Sequence, residues 1–468
     1  MRFNLLTKAL FGPTNCVSKA ARQLQSSAAT TLSKDWIIPE TKITTLASGF
    51  RIATEDSHFP TATIGVWVNA GSRFENDKNN GVAHFSEHMA FKGTNKRNQF
   101  ELELEVESNG ILLNAYTSRE QTVYYAKCPS DHIERAVEIL ADILLNSQYR
   151  EREIKIERDV ILREYEEIEQ TIKEVLFDRL HAEAYKDSPL AKTILGSIEN
   201  IKTISRADLN KYVQDYYQGP RMVLAGAGGV DHNKLVELAK KYFDKVNRDD
   251  LKEVIYEPGV FKGCNQIIVN NNMPTVHGTL CVEGTSWTDA DNLAMMIAHM
   301  LVGTWNRTQA SGIGAPSRLA RRLPQENGVE NFMAFSTNYV DTGLTGVYFE
   351  IMAKDAKMFC DAILDEWKSL TVFDDEESLE QTKISLLANT AMTLDGTTPI
   401  CEDIGRQILC YGRRVPLAEI EARINAVTTE TIRELAKKYF MNQKVAVTII
   451  GAQNDWPSAE YIEDKLKL

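Results

Sequence analysis

Hydrophobic positions along the chain switch between a period near two and a period near 3.6, so strands and helices are mixed throughout. Ile43 to Leu46 and Gly49 to Thr54 predict a hairpin-like pair, and Thr61 to Val68 alternates like a half-buried strand. A helical stretch follows between Gly81 and Thr94. Phe100, Leu102, Leu104 and Val106 keep a period of two, yet their Glu- and Leu-rich setting favours a helix that Asn109-Gly110 stops. Strands are expected at 111–117 and 121–127, helical periodicity at 131–145 and 150–184, then a helix at 208–217, a strand at 221–226 and a helix at 232–243. Asn247 to Lys262, with Asp249-Asp250 and Pro258-Gly259, reads as an inter-domain linker.

The second half repeats the first. "ISRADLNKYVQDYYQGPRMVLAGAGG" is echoed by "VTTETIRELAKKYFMNQKVAVTIIGAQ", and setting Tyr216 on Tyr439 also sets Gly228 on Gly451. Each is an amphipathic helix, a turn, a strand and a glycine, which points to duplication of one α/β unit rather than a solenoid. The counterpart of the 81–94 helix, Asp291 to Val302, retains one histidine and no glutamate, so only the first half is expected to hold a metal. No apolar run approaches the ~20 residues of a membrane span, and Leu293 to Trp305 reads as core.

Residues 1–34 hold Arg2, Lys8, Lys19, Arg22 and Lys34, many Ser and Thr, and no acidic residue. Leu5, Leu6, Ala9 and Leu10 share one helical face before Gly12-Pro13. That is the pattern of a mitochondrial transit segment; the lack of a solid apolar stretch argues against a secretory signal. Without it the body has 48 basic and 65 acidic residues, a net of −17. Such a body repels nucleic acid and attracts cationic ligands. The seven cysteines form no C-x-x-C and read as free thiols in a reducing compartment.

The chemistry concentrates in Gly81-Val82-Ala83-His84-Phe85-Ser86-Glu87-His88-Met89. His84 and His88, four apart on a helix, share a face and can bind one Zn²⁺. Glu87 lies near that face without having to ligate, where a general base belongs. The order H-x-x-E-H inverts the usual zinc-protease motif. The plain alternative is a surface helix with two solvated histidines. A catalytic zinc takes three protein ligands, and downstream runs a strongly helical, charged segment, Glu151 to Glu164.

Around the motif, "HFSEHMAFKGT", "LNAYTSREQTVYYAK", "IERDVILREYEEIE", "EVLFDRLHAEAY" and "NYVDTGLTGVYFE" resemble the pitrilysin/insulinase family of zinc peptidases, in its processing-peptidase branch, over nearly all the chain after residue 35. The resemblance implies Glu164 as third zinc ligand, Glu87 as catalytic base and Glu157, two turns before Glu164, as support behind a histidine. It implies that Asn114 and Tyr116 lie on a strand edge that pairs with substrate backbone, and that Phe91 faces the apolar residue after the cut. Glu174 and Asp178 match carboxylates that receive an arginine two residues before the cut. On one straight helix Asp178 would lie about 21 Å from Glu164, so the chain must bend, with Gln170-Thr171-Ile172 the place for it. Tyr339 is a family-level candidate to reach substrate from the second half; an ordinary strand aromatic is the plainer reading.

Duplication and resemblance together imply an α+β fold of two homologous α/β sandwich-like domains, each a mostly antiparallel sheet covered by helices. The expected division is 1–34 transit segment, 35–246 zinc-binding catalytic domain, 247–262 linker and 263–468 homologous domain without a metal. The implied activity is zinc-dependent endoproteolysis that removes N-terminal targeting presequences from imported precursors in the mitochondrial matrix, in a heterodimer with a homologous α-type subunit. The competing reading within the family is a core subunit of the cytochrome bc1 complex, structural or dual-role. Core subunits commonly lose part of the zinc motif, and this chain retains all of it. A noncatalytic α-type partner fits poorly, since Ser311 to Pro316 is too short for its glycine-rich loop. Ser86, where the family usually has leucine, and "GILLNAY", which lacks a bulky residue two before the asparagine, depart from the pattern without removing a ligand.

Overall fold

The computed structural model describes residues 39–246, 254–309, 315, 317–324 and 327–468. The transit segment, residues 247–253 of the linker and nearly all of Ser311 to Pro316 lie outside the described residues.

The first sheet is built from β1 (Lys42–Thr45), β2 (Arg51–Asp56), β3 (Thr61–Val68), β4 (Leu112–Thr117), β5 (Thr122–Pro129) and β6 (Met222–Gly228). The second uses β7 (Cys264–Val269), β8 (Thr275–Glu283), β9 (Thr304–Asn306), β10 (Val329–Asn338), β11 (Gly343–Met352) and β12 (Ala446–Gly451). Their orders are β1-β2-β6-β3-β5-β4 and β7-β12-β8-β11-β10-β9. Striking β1 and β9 leaves five strands in the same order and sense, with one parallel pair in each, β2 with β6 and β7 with β12. The fold is therefore α+β and duplicated, as the internal echo implied.

The first half carries helices α1 (Val82–Ala90), α2 (Gln99–Ser108), α3 (Ile133–Leu145), α4 (Glu151–Glu169), α5 (Ile172–Ala184), α6 (Ile198–Thr203), α7 (Arg206–Tyr216) and α8 (His232–Tyr242). The second carries α9 (Asn292–Val302), α10 (Arg318–Arg322), α11 (Ala356–Leu370), α12 (Glu376–Thr393), α13 (Thr397–Tyr411), α14 (Leu417–Asn425), α15 (Thr429–Tyr439) and α16 (Ala459–Lys465). The echoed words coincide in detail. Ser205 with Asp208 caps α7 and Thr428 with Thr431 caps α15, both as capping boxes. Gly228 and Gly451 end the matched strands at φ +108° and +151°. A Cβ there would stand 2.3 Å from the Thr61 carbonyl oxygen and 2.4 Å from that of Thr275, so neither position tolerates a side chain.

Each half lends a helix to the other's sheet. Leu176, Leu180 and Ala184 of α5 pack with Cys281, Leu344, Tyr348 and Ala446 of the second sheet. Cys401, Ile404 and Ile408 of α13 pack with Ala53, Trp67, Val223 and Ala225 of the first. This covers both faces of β3, whose residues after Thr61 are all buried where the alternation predicted a half-buried strand. The α2 segment is helical as expected, but its period of two scatters apolar residues around the axis: only Leu102 is buried, and Phe100 and Leu104 are exposed.

The helix broken between α4 and α5 meets the geometric demand that the chain bend there. Its N–H and C=O ladder stops at Gln170-Thr171, where Thr171 takes φ −96° and ψ 88°. The break lets α4 stay with the first half while α5 crosses to the second sheet.

Candidate metal centre

Helix α1 is pinned at its N-terminus by a buried carboxylate. Glu75 accepts from Gly81 N at 2.8 Å, Ala83 N at 2.7 Å and Asn80 Nδ2 at 2.7 Å, satisfying helix N–H groups that have no partner within the helix. Val82, Ala83, Phe85, Met89 and Ala90 bury the opposite side in the first core. His84 and His88 are thereby aimed at α4.

One ligating atom from each of His84, His88 and Glu164 lies within 4.8 Å of the others, and this is the one such cluster among the described residues. Glu164 Oε2 stands 3.7 Å from His84 Nε2 and 3.2 Å from His88 Nε2. His84 is buried, yet neither ring nitrogen has a hydrogen-bond partner among the described residues, an arrangement that costs free energy unless something else takes the lone pair. His88 Nδ1 is bonded to Glu157 Oε1 at 2.8 Å, leaving Nε2 for the shared point. Glu157 also pairs with Lys92 Nζ at 2.8 Å. Two imidazoles and a carboxylate, one imidazole braced from behind by a second carboxylate, fit zinc.

Electrostatics follow from this crowding. Burial alone would lower His88, but its bonds to Glu157 and Glu164 and the charges of Glu164 and Glu87 raise it to about 9. Burial works against Glu164 ionising, and the two histidines nonetheless hold it far below the usual carboxylate range. Glu157 is lowered too, against burial, by His88 and Lys92. Glu87 lies on the same helix, its Oε2 accepting from Thr117 Oγ1 at 2.7 Å.

Two family models match the chain: insulinase (peptidase family M16) over residues 51–198 and the peptidase M16 inactive domain over residues 203–386. The mitochondrial-processing peptidase β subunit of Caenorhabditis elegans is 47% identical over 433 residues, 92% of this chain and 94% of that one. The human protein of the same name is 47% identical over 430 residues, 92% of this chain and 88% of that one. The chain belongs to the insulinase family of peptidases, M16.

A solved chain of complex III2 from Candida albicans superposes with a TM-score of 0.81 at 21% identity, covering 92% of this M16 chain and all of that one, which is a likeness of fold. In the second copy His299, on α9, is half-buried and bonded to the Ala334 carbonyl. Its ring is thus engaged with β10, in keeping with the description of that half of the family as inactive.

The remaining candidates of this M16 chain divide. Strand β4 is the sheet edge, paired on one side by β5. Its odd residues Leu113 and Ala115 pack toward the α1 layer, and Thr117 bonds Glu87. Asn114 and Tyr116 therefore point to the other face: Asn114 Nδ2 donates to Tyr125 Oη at 3.1 Å and Tyr116 Oη to Glu402 Oε1 at 3.1 Å. On the metal's side these two residues can offer only backbone. Phe91, at the end of α1, is half-buried with its ring centroid 6.3 Å from that of Tyr124.

Glu174 and Asp178 share a face of α5 but not the same company. Asp178 Oδ1 already receives Arg119 Nη2 at 2.7 Å. The Glu174 side chain has no hydrogen-bond or ion-pair partner among the described residues, and burial first, then the charges of Asp178 and Glu164, raise it. Tyr339 is buried and donates from its hydroxyl to His181 Nε2 at 2.8 Å, because Nδ1 is committed to the Phe177 carbonyl at 2.6 Å. Burial and Arg119 push His181 well below its ordinary value, so it stays neutral. Tyr339 belongs to a lock between the halves in which Arg73 Nη1 meets Glu120 Oε1 at 2.7 Å and Nη2 meets Asp341 Oδ2 at 2.6 Å. Thr117, Arg119 and His181 went unflagged in the sequence. The available signal was the wording "YTSRE" for Thr117 and Arg119 and "EVLFDRLHAEAY" for His181, which does not say what those side chains touch.

Proposed function

We propose that this chain is the catalytic β-type subunit of a mitochondrial processing peptidase, a zinc endopeptidase that removes N-terminal presequences from imported precursors in the matrix. The observation that carries the reading is the convergence of His84, His88 and Glu164 beside Glu87, in a chain 47% identical to relatives bearing that name. Residues 35–246 carry the chemistry and 263–468 the supporting copy, with 1–34 the segment that directs import.

His84, His88 and Glu164 would hold one zinc, and Glu157 would fix the ring of His88. Zinc so held acidifies water toward a pKa of ~7 and polarises the scissile carbonyl. Glu87 takes the proton of the attacking water and later delivers it to the leaving amine. The open edge of β4 receives the substrate as an added strand, through backbone at Asn114 and Tyr116. Peptide laid antiparallel on β4, with its cut near Thr117, sends its upstream residues past the Thr117 end, where Arg119 and Asp178 lie. Glu174 there is the free carboxylate for an arginine two residues before the cut, and Phe91 borders the residue after it.

A second, homologous α-type chain completes the enzyme. The edge of β4 stands open, and a substrate held in register between two walls gains effective concentration that one wall cannot give. The acidic body steers cationic presequences, an effect that salt screens over about 8–10 Å. The test is cleavage of an arginine-bearing presequence peptide by residues 35–468, alone and with the α-type chain, across ionic strength. Activity that needs the partner and falls with salt is expected. Full activity from the isolated chain would overturn the heterodimer.

A further inference from the structure

We infer that Thr117 is the residue that aims Glu87, by holding one oxygen of its carboxylate. The inference rests on the reading of Glu87 as general base. Thr117 Oγ1 stands 2.7 Å from Glu87 Oε2. A hydroxyl has a single proton to give and an ionised carboxylate can only accept, so that proton is committed to Glu87. Nothing in α1 itself fixes where the Glu87 carboxylate points, since its side-chain torsions have several staggered wells. The restraint comes from another element. Tying Oε2 leaves Oε1 for the attacking water.

Thr117 is suited to the task because the backbone around it is tied down on several sides. It is the last residue of β4 and 9% exposed. The turn beyond it is closed by Ser118 N donating to the Gln121 carbonyl at 2.7 Å and by Gln121 N donating to Ser118 Oγ at 3.0 Å. Its cross-strand partner Thr122 donates to the Ala70 carbonyl at 2.8 Å. Gly71 lies so close beneath that a Cβ would stand 2.3 Å from the Ser118 carbonyl oxygen. Arg73 N donates to the Arg119 carbonyl at 2.8 Å. Thr117 is thus a positioning residue mounted on the rigid end of a hairpin.

Thr117→Val keeps the branched shape and removes the hydroxyl, whereas Thr117→Ser keeps the hydroxyl and removes a methyl. In the enzyme assembled with its α-type partner and an arginine-bearing peptide, Thr117→Val should lower kcat about 10- to 100-fold, the loss of one hydrogen bond to a charged group. KM and bound zinc should stay as in the wild type. Thr117→Ser should return kcat to within about threefold of wild type, since the donor is kept. A second readout needs no metal. Thr117→Val should lower the thermal midpoint of the metal-free full chain, and should not lower it further once Glu87→Ala has removed the acceptor. Equal kcat losses for Val and Ser, a raised KM with kcat intact, or an unchanged kcat in Thr117→Val would overturn the inference. So would an equal thermal cost with and without the Glu87 carboxylate. If Thr117→Val does not fold, Thr117→Cys, a weaker donor, replaces it in both comparisons. Full activity in Glu87→Gln would sink the base assignment and this inference with it; a dead Glu87→Gln beside a fully active Thr117→Val sinks the inference alone.

Discussion

Neutralising Glu174 and neutralising Asp178 should have different consequences, although both carboxylates lie one turn apart on α5. Glu174 has no hydrogen-bond or ion-pair partner among the described residues and is raised by burial and by its acidic neighbours, so an incoming guanidinium would offset that unfavourable setting. Glu174→Gln removes one charged hydrogen bond to substrate, worth about 1.5–3 kcal/mol, or roughly 10- to 150-fold in KM. That loss should appear for peptides with arginine two before the cut and nearly vanish when alanine stands there. Asp178 is held 2.7 Å from Arg119, whose side chain is 9% exposed against 31% for the aspartate. Exposed pairs are worth about 0–1 kcal/mol, and stripping one partner from a fully buried pair costs about 3–5. A half-buried pair falls between, near 2 kcal/mol. Asp178→Asn should therefore cost a few degrees of thermal midpoint and depress both peptides alike. The assay is kcat and KM on the matched peptide pair, with a melting curve for each variant. Selective loss on the arginine peptide in Asp178→Asn, with stability untouched, would refute the division of labour.

Glu157→Gln should weaken zinc binding about 10- to 100-fold, because the brace behind His88 loses its charge. Competition with a chelator measures this, and an unchanged affinity would remove Glu157 from the site. Burial pushes Glu75 up to about 7 against the pull of Ala83, Asn80 and Gly81. A carboxyl bound more tightly to its proton in the folded than in the unfolded chain stabilises the fold below its unfolded value near ~4.3, and that share is lost as pH rises through about 7. The metal-free chain should lose roughly 3–4 kcal/mol from this group across that window. Glu75→Gln should flatten the slope of urea midpoints between about pH 5 and about pH 8, and parallel slopes would contradict the origin assigned to it.

What was legible in the sequence was local. Two histidines four apart with a glutamate between them define a face wherever a helix forms, and Pro, Gly and capping residues mark where helices and strands stop. The offset between Tyr216 and Tyr439 announced a duplication because both copies need the same helix, turn and glycine. The proposed third ligand was reachable only through family wording, since Glu164 stands among many glutamates on one charged helix. Contacts between distant segments were out of reach. Nothing near Thr61 to Val68 indicates that a helix from residues 397–411 will cover its second face. Nothing near Asp178 says that Arg119, 59 residues earlier, already holds it. Asn114 and Tyr116 lie on the predicted strand, but which face they take depends on the side α1 packs against, and no period-two pattern can fix that.

In the proposed enzyme, zinc held by His84, His88 and Glu164 works with Glu87 as base. Glu87→Gln tests it most directly, with metal content and presequence cleavage measured on the same preparation in the presence of the α-type chain. One zinc per chain and no cleavage are expected, whereas Glu164→Ala or His84→Ala loses both. Near-normal turnover by zinc-loaded Glu87→Gln, or full zinc retention in Glu164→Ala, would contradict it.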